Sequence, residues 1–185
     1  AIRAGTDYDT FNHRMRLVAW AKQHPVIRVA AAAATTTTVI RVDVGFMYTG
    51  QCYMEDCDTV LRDKYQFRGY MSQPQQYRSQ YAVIPEGNTY VSRLFTFLTE
   101  SRSLLFYTSV FREWFSGRVR AWLHYVPYAL DLSDLESRLA WAARNDRRAQ
   151  QIAERAFSMA RAKLRHDDMK CYVGLLLLEY ADLLV

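Results

Sequence analysis

Glycine and proline are scarce, at 7 and 4 of 185 residues, and a chain so poor in turn formers is not built mainly of loops. No run of 18 uninterrupted apolar residues occurs, so no segment reads as a membrane span. The longest candidate, Val173 to Val185, is broken by Glu179 and Asp182 and is predicted to be a buried helix. No Gly-x-Ser-x-Gly, Walker A or HExxH pattern is present, so the chemistries those motifs serve have no support here. The chain opens Ala1-Ile2-Arg3-Ala4-Gly5, with neither an initiator methionine nor a charged-then-apolar leader, and reads as a piece of a longer precursor. Cysteine is limited to Cys52, Cys57 and Cys171. No further Cys or His stands near the first two, which argues against zinc. They read as a small local disulfide in an oxidising lumen, with two reduced buried thiols as the alternative.

Half of the residues are apolar and 23% are charged, which excludes wholesale disorder. A domain of this length buries roughly 70% of its unfolded surface, enough for a real core. The net charge is +5, with Arg supplying nearly all of the excess. Guanidinium groups fork onto phosphates, so the bias points to phosphate-bearing partners or simply to a basic soluble surface. Nucleic acid would demand a denser basic stripe and is not expected as a partner.

Along the chain, Asp9 and Thr10 are candidate caps for a helix through Phe11, Met15, Leu17, Val18 and Ala21, ended by His24-Pro25. Ala30 to Thr38 is low complexity, either a helix-to-strand connection or an unstructured insert. Val39 to Phe46 alternates as a strand, Glu55 to Tyr65 reads as a short helix, and Gln66 to Gln76 as a polar loop. The second half is more regular. Tyr81 to Ile84, Ser103 to Tyr107 and Trp122 to Pro127 are predicted strands. Helices are predicted over Thr89 to Glu100 and Val110 to Val119, then after a Ser133/Glu136 capping box. Two more follow, along the face Ile152, Ala156, Met159, Ala160, Leu164 and after a cap at Asp167. Strands alternating with helices predict an α/β fold with a parallel sheet covered on both faces. Ligands then sit at the carboxyl ends of the strands, around Glu86-Gly87-Asn88, Tyr107-Thr108-Ser109 and Val126-Pro127. A strand, a glycine turn and a helix carrying Ser92 and Arg93 make an anion cradle or a plain β-turn with a solvated arginine.

The ordered series Asn88-Thr89-Tyr90-Val91-Ser92-Arg93-Leu94, Ser103-Leu104-Leu105-Phe106, Glu113-Trp114-Phe115, Trp122-Leu123-His124-Tyr125-Val126-Pro127 and Asp131-Leu132-Ser133-Asp134-Leu135 resembles the C-terminal half of the CAP10 glycosyltransferases. That family includes protein O-glucosyltransferases and fungal capsule-related xylosyltransferases. The tail from Asp167 to Tyr172 with Leu178-Glu179-Tyr180-Ala181 is similar to the family's closing motif. His13-Arg14-Met15-Arg16-Leu17 and Gln51-Cys52 with Glu55-Asp56-Cys57 resemble its fungal branch. The resemblance implies a GT-B-like arrangement of two Rossmann-like halves, with residues 77–185 as the nucleotide-sugar-binding domain and 1–76 as a lead-in. It implies Arg93 at the UDP diphosphate, Gly87, Asn88 and Ser92 in the loop around the nucleotide, and a catalytic aspartate upstream of this chain. It further implies a UDP-glucose or UDP-xylose donor, a protein or glycan hydroxyl as acceptor, a missing N-terminal half as partner, and an endoplasmic reticulum, Golgi or secreted location. Neither a cofactor nor a metal is expected.

His124 is a weaker donor candidate, against a satisfied core histidine. Glu113 is a candidate for the ribose hydroxyls, against a helix-surface acid. Asp7-Tyr8-Asp9 matches the DxD pattern of metal-dependent transferases, but helix-capping carboxylates explain it better, and His166-Asp167-Asp168 is explained by a cap with first-turn acids. The functional expectation is a glycosyltransferase fragment; the alternative is a non-catalytic remnant that binds nucleotide sugar or serves as an interaction module.

Overall fold

A computed structural model describes residues 12–30, 37–47, 57–87 and 90–184. The elements, in order, are α1 (His13–Gln23), β1 (Val26–Ala30), β2 (Thr37–Arg41), α2 (Cys57–Lys64), α3 (Gln73–Gln76), β3 (Tyr81–Ile84), α4 (Arg93–Glu100), β4 (Leu104–Tyr107), α5 (Leu135–Arg144), α6 (Asp146–Lys163) and α7 (His166–Asp182). The fold is mixed α/β, with a small parallel sheet between flanking helices.

β3 and β4 run parallel in the register Tyr81↔Leu104 to Ile84↔Tyr107. Both strands are short and strongly apolar, as strands buried on both faces must be. Alternation sends Leu104 and Phe106 to one side, where they pack with Leu17, Ile27, Val29, Leu135, Leu139 and Ile152. It sends Leu105 to the other, where Ala82, Ile84, Leu94, Phe97, Leu98 and Phe115 gather. α6 serves both cores, through Ala149 and Ile152 on one and Ala156 and Ala160 on the other. Small residues at that seam let the helix lie close to both layers. The boundary expected between residues 76 and 77 is crossed by the first core, in which α1 and β1 meet β4 and α5.

Several local expectations change. Asn12, not Asp9 or Thr10, caps α1: its Oδ1 accepts from Arg14 N at 3.0 Å and Met15 N at 3.3 Å. Val26–Ala30, unassigned from the sequence, is a strand with Ile27 and Val29 buried, paired antiparallel to β2. Within the expected polar loop 66–76, Ser72 and Gln75 start the one-turn α3. No helix forms over 110–119. Phe111 N donates to Ser109 Oγ at 3.0 Å and Glu113 N to Ser116 Oγ at 2.8 Å, so hydroxyls take the amides a helix needs.

The third strand reduces to two isolated bridges, Phe106 with Val126 and Ala121 with Tyr125. Within the second the chain turns tightly through Trp122, whose φ of 62° costs roughly 1–3 kcal/mol for a bulky residue. Trp141 edge-on at 4.9 Å and the Arg138 guanidinium at 5.2 Å hold that ring in place. Ser133 does not cap α5. Its hydroxyl donates to Asp131 Oδ1 at 2.7 Å, and Asp134 occupies the cap position. At α7 the cap residue is Arg165, whose N donates to Asp168 Oδ2 at 3.0 Å, while Asp167 lies within the first turn.

The largest correction concerns α7. The expected buried helix is exposed along its length: Leu175 is 58% and Leu178 66% accessible. Four consecutive leucines, 175–178, wrap the whole circumference, and no described element covers any side of them.

Candidate functional site

β3 and β4 end side by side, and the segments leaving them, 85–87 and 108–113, form one ledge. Glu86, the second residue beyond β3, is buried. Its Oε1 accepts from Ser109 Oγ at 2.5 Å and Val110 N at 2.6 Å, which ties the two strand-end segments together. A buried carboxylate persists only with such donors. Ser109 is then spent on two jobs, since its oxygen also accepts from Phe111 N.

From the other side, α1 presses its first turn against the same ledge. His13, buried, accepts at Nδ1 from Glu86 N at 3.1 Å. The next residue, Arg14, lays its guanidinium on Gly87: a Cβ there would lie 2.5 Å from Nη2 and 2.9 Å from Cζ. A side chain at 87 would displace that guanidinium. Tyr128 closes the floor, donating to Ile84 O at 3.3 Å, with its ring 5.6 Å from that of His13.

The electrostatics follow from burial. Desolvation, then the Arg16 charge, hold the His13 imidazole down to about 4 against the opposing pull of Glu86. The ring is therefore neutral, and with Nδ1 accepting, its proton sits on Nε2. Nε2 is buried with no hydrogen-bond partner, as is Arg16 Nε. Burial also raises the Tyr107 and Tyr128 hydroxyls. Two guanidinium-bearing residues of α1, Arg14 beside Gly87 and Arg16 beside His13, thus stand at a ledge whose acid Glu86 is already engaged.

Each expected site residue can be placed. Gly87 stands on the ledge under Arg14. Ser92 precedes α4, exposed, with no side-chain capping bond, and Arg93 is the first residue of that helix. Asn88 lies outside the described residues. Glu113 follows the β4 segment; burial raises its carboxyl, and Oε1 is buried without a partner. His124 is set apart in the Trp122 turn: Nδ1 accepts from Arg120 N at 3.1 Å, and burial with Arg120 and Arg155 lowers its pKa. Cys52 and the Cys57 side chain lie outside the described residues, and with them the expected disulfide; Cys171 is a free exposed thiol. Among the described residues no cluster of His, Cys, Asp or Glu is arranged to hold a metal, and no helix is long and apolar enough to cross a membrane.

The sequence placed Glu86 in a strand-end loop without a role, and gave His13 and Arg14 no place in the site. The residues meet across 73 positions, and the available signal was a histidine followed by alternating arginines at a helix start. A cleft of about 490 Å³ opens elsewhere, between α4, α6 and the start of α7, lined by Phe95, Thr99, Ala160, Arg161, Leu164 and Met169 among others. None of the expected site residues lines it.

Residues 15–185 match the family described as "Glycosyl transferase family 90". Among curated proteins, the chain is 33% identical over 110 residues to Protein O-glucosyltransferase 2 of Danio rerio, covering 59% of this chain and 22% of that protein. It is 40% identical over 72 residues to Protein O-glucosyltransferase 1 of Homo sapiens, covering 39% and 18%. With human Protein O-glucosyltransferase 3 it is 26% identical over 174 residues, covering 94% and 30%. The chain thus spans less than a third of these relatives' length.

Proposed function

Because the chain belongs to glycosyl transferase family 90, the CAP10 glycosyltransferases, we propose that it supplies the donor-holding half of a transferase moving glucose or xylose from UDP to a hydroxyl of a protein or glycan. The observation that carries this reading is the contact of Arg14 with Gly87 at the carboxyl ends of β3 and β4. A diphosphate brings two negative charges and needs several donors at short range. The bare backbone of Gly87, the Arg14 guanidinium and the start of α4 with Arg93 supply them. Glu86, an acid on the same ledge, would repel that ligand if it faced it. Instead its Oε1 is occupied by Ser109 and Val110.

In the transfer, the bond from the sugar carbon to the diphosphate oxygen breaks and negative charge accumulates on the departing UDP. Cations fixed beside that oxygen stabilise the charge as it develops and require no reorganisation. The acceptor hydroxyl must lose a proton to a base near the sugar carbon. On this reading that base, an aspartate, stands in the other half of a GT-B-like arrangement, and the β3–β4 unit with its helices belongs to the Rossmann-like nucleotide half. Tyr90 and Phe111, exposed beside the ledge, offer ring faces to base or sugar. The compartment is the lumen of the secretory pathway, where a Cys52–Cys57 bridge forms.

The test is a thermal-shift and calorimetric titration with UDP, UDP-glucose and UDP-xylose. All three raise the midpoint by mass action, and Arg93→Ala weakens UDP by about 1.5–3 kcal/mol, the size of a hydrogen bond to a charged group. No response to millimolar UDP would overturn the reading.

A further inference from the structure

We propose that His13 is a positioning residue for the diphosphate cradle: by accepting Glu86 N it fixes the register in which Arg14 lies against Gly87. The inference rests on the functional reading above. Its grounds are the pairing of two neighbours with two neighbours. His13 meets Glu86 and Arg14 meets Gly87, so the first turn of α1 grips the ledge at consecutive residues.

Each part of that grip is anchored independently. Asn12 fixes the start of α1 through two backbone bonds. The Glu86 carboxylate is fixed to the β4 segment through Ser109 and Val110. At this point the anchored helix meets the anchored ledge through the bond from Glu86 N to His13 Nδ1. Arg14 itself is exposed, and a long exposed side chain does not hold its own position. Its guanidinium reaches Gly87 because the backbone beside it is pinned. Loss of the acceptor leaves Glu86 N unpaired in a buried place, and the ledge relieves that by moving away from α1. The imidazole suits the task because it is neutral, with a lone pair on Nδ1 and its proton on Nε2, facing a cluster that already contains the Arg16 charge.

The experiment is a ligand-observed NMR titration of UDP and of uridine against the whole chain, alongside its thermal midpoint. The variants are His13→Phe, which keeps ring volume and removes the acceptor, and His13→Asn, whose Oδ1 stands where Nδ1 does. His13→Phe is expected to weaken UDP about tenfold, the scale of one buried hydrogen bond, with uridine within about twofold. His13→Asn is expected to return UDP to within about threefold of wild type. Gly87→Ala, which evicts Arg14 without touching His13, should reproduce the UDP-selective loss. Should the phenylalanine variant fail to fold, His13→Gln, whose acceptor falls at the Nε2 position, takes its place with the same expected loss. A folded acceptor-less variant that binds UDP like wild type, or that loses UDP and uridine equally, overturns the positioning role alone. A wild-type chain that binds no UDP overturns the functional reading and, with it, the cradle.

Discussion

Helices α6 and α7 are nearly equal in length, 18 and 17 residues, and follow one another with only two residues between them. Their surroundings are opposite. α6 carries four Arg and two Gln, yet Ala149, Ile152, Ala153, Ala156 and Ala160 are all buried along one stripe. α7 carries the longest apolar run in the chain and has no buried residue. Average hydropathy therefore ranks the two helices in the wrong order. Periodicity ranks them correctly, because a stripe can be covered by one neighbouring layer, whereas leucines at four successive positions need cover on every side.

The comparison can be broken most directly inside α6. Ile152→Ala, at the junction with Leu135, Leu139 and Phe106, is expected to cost about 2–4 kcal/mol in denaturant unfolding. A loss under about 1 kcal/mol would mean that the stripe does not support the fold. At the start of α7, hydrogen bonds from the Arg165 side chain and backbone hold the Asp168 carboxyl down to about 2. Because the folded value is depressed, this support is complete above the ordinary aspartate range and is lost as pH falls through about 2. Amide exchange at residues 166–170 should accelerate relative to α6 between pH 4 and pH 2; equal change in both helices would refute the assignment. The smallest effect belongs to the leucine run. Leu176→Ala removes a side chain that touches little, so unfolding stability should stay within about 0.5 kcal/mol. A cost above about 1 kcal/mol would show that α7 is covered after all.

Much of the architecture was legible because it rests on local pattern. Tyr81–Ile84, Leu104–Tyr107 and the α6 stripe have runs or periods that few alternatives fit, and their alternation with helices implies the parallel pair. Expectations failed where side chains capture backbone amides or where neighbours decide. Ser109 and Ser116 dissolve a helix, and Trp122 adopts a left-handed turn that propensity disfavours. Around the strand ends, the glycine turn at Gly87 and the helix that Arg93 opens were legible because both are local patterns. The pairing of Glu86 with His13 was not, since it is a hydrogen bond between distant segments. A histidine at a helix start looks the same in sequence whether it faces water or an amide.

The first core also has a kinetic side. Arg144 Nε reaches back to Ala30 O across 114 residues, and Ile27 and Val29 are covered by α5 and its neighbours. During synthesis the β1–β2 hairpin leaves the ribosome well before the surface that shelters it exists. Closing so large a loop costs entropy before the contacts that reward it form, and non-local contacts of this kind slow folding. In the interval, two buried aliphatics and a strand edge stand open to any chaperone or aggregating neighbour.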